Sequence, residues 1–108
     1  MSKTKPVKID REQLGDRTVS MMADFLHRDP VSIDLKENMR KDWNMTDRDF
    51  EILETWIEGP IDGFPGFFQD VEADVTRKEL LDPELKTGEQ LAKLIWNRIP
   101  KEHKKSMP

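Results

Sequence analysis

Catalysis and ligand binding need particular side chains at particular spacings, and this chain offers few of them. Its two histidines, His27 and His103, are far apart in sequence, with neither the spacing of a metal pair nor a base beside an orienting carboxylate. There is no cysteine, which removes a thiolate nucleophile, a disulfide framework and any cysteine-based metal site. The serines Ser2, Ser20, Ser32 and Ser106 lack a G-x-S-x-G setting, and the glycines form neither G-x-G-x-x-G nor a P-loop. Asp47 and Asp49 are two apart, so on a helix they point in different directions and do not share a proton. They read as helix-start residues that complement the dipole. Lys101 to Lys105 is a short basic run, with Lys3, Lys5 and Lys8 at the other end of the chain. A groove tracking phosphates would require both ends to order together. These features predict no enzyme activity, no metal, no cofactor and no nucleic-acid partner.

The charge distribution is more informative than its total. The net charge is −4, yet residues 42–89 hold fourteen acidic and four basic side chains, while residues 93–108 hold five basic and one acidic. An acidic middle steers basic protein surfaces toward it, although a solvated face of acidic helices has the same composition. The composition, 35% hydrophobic and 37% charged, is polar, but Trp43, Trp56, Trp96 and five phenylalanines supply enough apolar surface to fold, so a thin core carried by few residues is expected. With no apolar run long enough for a membrane span and no h-region after the basic first residues, a cytoplasmic monomer is expected.

The elements that would position these groups follow from caps and periodicity. Asp10 caps a first helix with Gln13 as box partner; Leu14, Thr18, Met21, Met22, Phe25 and Leu26 form its stripe, and Asp29-Pro30 stops it. Val31, Ile33, Leu35, Met39 and Trp43 then predict a long loop held down by apolar side chains. Thr46 caps a second helix with Asp49 at N3, an apolar face of Phe50, Leu53 and Ile57, and an end at Gly59-Pro60. A turn-rich aromatic loop, Ile61 to Phe68, precedes a short helix within residues 69–81. Thr87, with Gln90, opens the last helix, which runs to Pro100. Residues 1–9 and 101–108 are expected to be flexible basic tails around one helical domain, residues 10–100. In the aromatic loop, Phe64, Phe67 and Phe68 cannot share one helical face. They form a contact patch or close the small core.

This order of features resembles the acyl carrier protein family. Met21-Met22-Ala23-Asp24-Phe25-Leu26 is similar to the family's first-helix run I-I-A-x-x-L. Met39-Arg40-Lys41-Asp42-Trp43-Asn44-Met45-Thr46-Asp47-Arg48 falls, without a gap, where the family has its E-D-L-G-x-D-S-L. Leu81-Asp82-Pro83-Glu84-Leu85-Lys86-Thr87-Gly88-Glu89-Gln90-Leu91-Ala92 is similar to the turn into its last helix, so the resemblance spans roughly residues 14–99. It implies an all-α fold, a small acyl-carrier-like four-helix bundle with a long loop between the first two major helices. It also implies that the serine bearing phosphopantetheine is here Asp47, preceded by Thr46. A carboxylate cannot form the serine phosphodiester, so no acyl thioester is carried there.

What the resemblance leaves is docking. The acidic second helix of a carrier meets basic patches on partner enzymes, and Glu51, Glu54 and Glu58 continue that character, while Arg48 replaces the family's partner-packing leucine. The expected contact surface is Trp43, Asp47, Arg48, Glu51, Glu54, Glu58, Phe64, Phe67 and Phe68, facing a protein partner with a basic surface. Two alternatives stay open. In one, Ser32, in Asp29-Pro30-Val31-Ser32-Ile33, is a true attachment serine of a working carrier; in the other, the chain is a small helical regulatory or adaptor protein, dimeric through exposed apolar residues.

Overall fold

Four of the backbone's helix starts are written in the same way. The computed structural model describes residues 7–105, and in them α1 (Arg11–Leu26), α2 (Asp47–Glu58), α3 (Arg77–Leu80) and α4 (Gly88–Arg98) each begin with a reciprocal capping box. The pairs are Asp10 with Gln13, Thr46 with Asp49, Thr76 with Glu79 and Thr87 with Gln90. In each, the cap side chain accepts from the N3 amide and the N3 side chain accepts from the cap's own amide. Two otherwise orphaned donors are thereby satisfied at every start. The chain is all-α: among the described residues there is no strand, only three isolated bridges.

Packing pairs α1 with α4 and α2 with α3. Met21 and Met22 of α1, Phe50, Leu53 and Ile57 of α2, Leu80 of α3, and Leu91 and Ile95 of α4 are fully buried in one core. The short helix expected within residues 69–81 is the one-turn α3, and a 3-10 turn at Gln69–Val71 precedes it. Between them Val71, Ala73 and Val75 are buried while Glu72 and Asp74 are exposed. The alternation starts at the end of the 3-10 turn, where Glu72 takes a left-handed conformation (φ +54°), and runs through the irregular chain up to Thr76.

The long connector between α1 and α2 is tied to the start of α4. The Met39 amide donates to the Lys86 carbonyl (2.8 Å) and the Glu89 amide to the Leu35 carbonyl (2.8 Å). Ile33, Met39, Trp43 and Met45 are buried. Val31, expected to help hold the loop, is instead 92% exposed; it sits in the 3-10 turn Pro30–Ser32, which buries no residue.

The expectation of flexible tails is corrected for residues 7–9 and 101–105. Ile9 and Lys104 form a parallel bridge, the Ile9 amide donates to the His103 carbonyl (2.9 Å) and the Lys105 amide to the Ile9 carbonyl (3.0 Å). Ile9 is 2% exposed and His103 5%. These segments show no apolar period because each inserts a single side chain, Ile9 at the bridge and His103 from the 3-10 turn Lys101–His103. Residues 1–6 and 106–108 lie outside the described residues.

Candidate functional site

The helical repeat gathers the acids of α2. At 3.6 residues per turn, Asp47, Glu51, Glu54 and Glu58 fall within an arc of roughly 60°, while Phe50, Leu53 and Ile57 face the core. Asp47, the first residue of α2, pairs with Arg40 at 2.8 Å, and that guanidinium also lies 4.7 Å from the Phe50 ring centroid. Glu54 pairs with Arg77 of α3 at 3.7 Å. Among the described residues no cation lies within ion-pair distance of Glu51 or Glu58.

Glu58 meets another acid instead. Burial, then hydrogen bonding and charge from Asp74, then the charge of Glu54, raise its pKa above the ordinary carboxylate value, with the Val75 amide acting in the opposite direction. The stripe is thus more negative than its internal partners can offset.

Beside it runs a shallow groove in which Arg48, Glu51, Ile52 and Trp56 of α2 face Ile61 of the aromatic loop and Arg77 of α3. The loop exists to close α2. Gly59 leaves the helix at φ +67°, and the chain returns so that the Phe67 amide donates to the Trp56 carbonyl (2.8 Å) and the Phe68 amide to the Ile57 carbonyl (3.0 Å). Two of the orphaned carbonyls at the helix end are satisfied this way. The return requires Gly59 and Gly66 to cross backbone to backbone: a Cβ on Gly66 would overlap the Gly59 nitrogen.

This crossing decides the fate of each phenylalanine. Phe68 is fully buried, so its expected place on a contact surface is corrected; the hydrogen bond its N–H donates to the Ile57 carbonyl holds it at the core. Phe67 is half-buried, stacked on Trp56 at 5.9 Å, and Trp56 meets Phe25 edge-on at 5.1 Å. Phe64 is 73% exposed, held in a tight turn by reciprocal backbone bonds with Ile61 (2.6 and 2.8 Å). Ile52 is 41% exposed on α2.

Trp43 is a second correction. It is 5% exposed and its ring packs where Gly88 leaves room, with a Gly88 Cβ placed only 2.8 Å from Cη2. It is a core residue, and Leu35 and Trp43 together explain why α4 starts on glycine. Ser32 is exposed, and its hydroxyl donates to the Asp29 carbonyl at 2.7 Å.

Two polar links were invisible in the sequence. Arg98 of α4 pairs with Glu79, whose pKa is lowered to about 2, chiefly by Arg98, against the opposing effect of burial and with further help from Thr76. His103, assigned to a tail, instead lies against Glu72 (Nε2 to Oε2, 2.6 Å) and the Val7 carbonyl (Nδ1 to O, 2.7 Å). Its pKa is raised, first by Glu72, then by Val7, against a smaller desolvation effect. Its partners lie 31 and 96 positions away, beyond any local pattern.

Compared with protein-family models, with curated proteins and with solved structures, the chain matches none.

Proposed function

We propose that the chain is a non-catalytic protein-interaction module, acyl-carrier-like in its arrangement, which docks a partner with a basic surface through α2 and the adjoining Phe64 turn. The observation that carries this reading is the acid stripe of α2: its Glu51 and Glu58 have no internal counter-cation among the described residues, and exposed Ile52 and Phe64 stand close by in sequence. Uncompensated charge speeds encounter, and apolar side chains that become buried slow release. Asp47 supports the carrier-like version. It occupies N1 of α2, where the resemblance puts the attachment serine, and its carboxylate leaves only the docking half of a carrier's work.

Two arms test this. After exposure to a broad-specificity phosphopantetheinyl transferase and coenzyme A, the intact mass should be unchanged; a phosphopantetheine-sized addition would identify a working carrier, with Ser32 the residue to mutate. In the second arm, the chain should inhibit the transferase's modification of a genuine acyl carrier protein at low salt. Charge reversal at Glu51 and Glu54 together should weaken that inhibition roughly tenfold, given about 0.2–1 kcal/mol for each exposed charge pair. Equal inhibition by the reversed variant, or none by the native chain, defeats the docking reading.

A further inference from the structure

The two ends of the described chain meet at one buried imidazole, and its two oxygen neighbours favour its protonated form. His103 is 5% exposed, with Nδ1 2.7 Å from the carbonyl oxygen of Val7 and Nε2 2.6 Å from a carboxylate oxygen of Glu72. Both neighbours are acceptors. A neutral imidazole has one N–H and would turn a lone pair toward one of them; only the imidazolium donates to both. Both separations are those of charge-assisted hydrogen bonds. The carboxylates of Glu72 and Glu102 are the only titratable groups drawing on His103 among the described residues, and both are acidic.

We infer that protonated His103 is a pH-operated clasp, pinning the segment at residues 7–9 and the segment at residues 101–105 to the turn that carries Glu72, and releasing them when it loses its proton. Around the imidazole run the backbone bonds from Ile9 to His103 and from Lys105 to Ile9. Opening frees these bonds together, uncovers Ile9 and detaches Lys101, Lys104 and Lys105, which form no ion pair among the described residues. The sign follows from linkage. A histidine whose folded pKa is raised contributes stability that is complete below the unfolded value of 6.5 and is lost as pH rises through the folded value. The clasp is therefore closed in mild acid and opens on the alkaline side.

The test is an NMR titration of the full chain from about pH 5 to 10, following the His103 ring protons and amide exchange at Ile9 and Lys105. The ring should titrate above the ordinary histidine value of about 6.5. Protection at the two amides, corrected for base-catalysed exchange, should fall about tenfold for each unit by which the ring's pKa is raised. In H103Q, protection at these amides should be low and flat with pH. If H103Q does not fold, E72Q serves instead: Glu72 is exposed, and its loss should move the ring's titration toward the ordinary value. A ring that titrates at or below about 6.5, or Ile9 and Lys105 amides indifferent to its titration, overturns the clasp.

Discussion

Single carboxylates in this protein are set in opposite directions by their neighbours, and that difference can be measured. Burial first, and then the neighbouring Asp74, raise the pKa of Glu58; its contribution is complete below 4.5 and is lost as pH rises through the folded value. At neutral pH the pair repels. E58Q should therefore raise the urea midpoint at about pH 7 and leave it nearly unchanged at about pH 4; a loss at pH 7 would mean the carboxylate makes a favourable contact. Glu79 is the converse. Its pKa of about 2, set mainly by Arg98, means stability present above 4.5 and lost as pH falls toward 2. Glutamine at this position still completes the capping box with Thr76. E79Q should thus lower the midpoint at about pH 7 and match the native chain near pH 2, isolating the ion pair from the cap.

The elements were legible to the degree that their signals are local. Asp10 with Gln13, Thr46 with Asp49 and Thr87 with Gln90 mark the starts of α1, α2 and α4 where the structure has them, because a capping box needs only four consecutive residues. The fourth box, Thr76 with Glu79, has the same signature, but α3 has only four residues and no apolar stripe of its own to announce it. What decides Phe64 out and Phe68 in is the crossing of Gly59 and Gly66, a contact between two backbones with no side-chain pattern. Trp43, expected both to hold down the long loop and to join the contact surface, is held to the first role alone by the room Gly88 leaves for its ring. The candidate docking face kept its acids and lost two of its aromatics. Glycines at this scale separate two effects. Gly15 lies inside α1 with nothing within 4 Å of an added Cβ, so G15A should stabilise by about 0.5–1 kcal/mol through helix propensity. G66A should cost at least about 2 kcal/mol, because the overlap is with backbone that side-chain rotation cannot relieve. Equal midpoints for these two variants in urea would show that the crossing is not required.

At the scale of the whole molecule, the question is whether the two ends belong to the cooperative unit. The reading from sequence made them solvated tails, and solvated tails contribute nothing to the urea midpoint. The structure gives them work: Ile9, 2% exposed, is covered in part by the returning chain, and Ile99, 3% exposed, lies just before Pro100, after which that chain turns back. A chain ending at Pro100 loses the Ile9 to Lys105 pairing and the His103 bonds, and it wets apolar surface at Ile9. Partial exposure of one aliphatic side chain and the loss of a few backbone hydrogen bonds amount to about 2–4 kcal/mol. That is a large share of the stability of a domain this small. Measured at about pH 6, where the clasp is closed, the truncated chain should therefore show a clearly lower urea midpoint with little change in slope. An unchanged midpoint would return residues 101–105 to the status of a tail and leave the helical body to stand without them. A lower midpoint that converges with the native chain's as pH rises would place the loss at His103, since the native chain would by then have released the same segment.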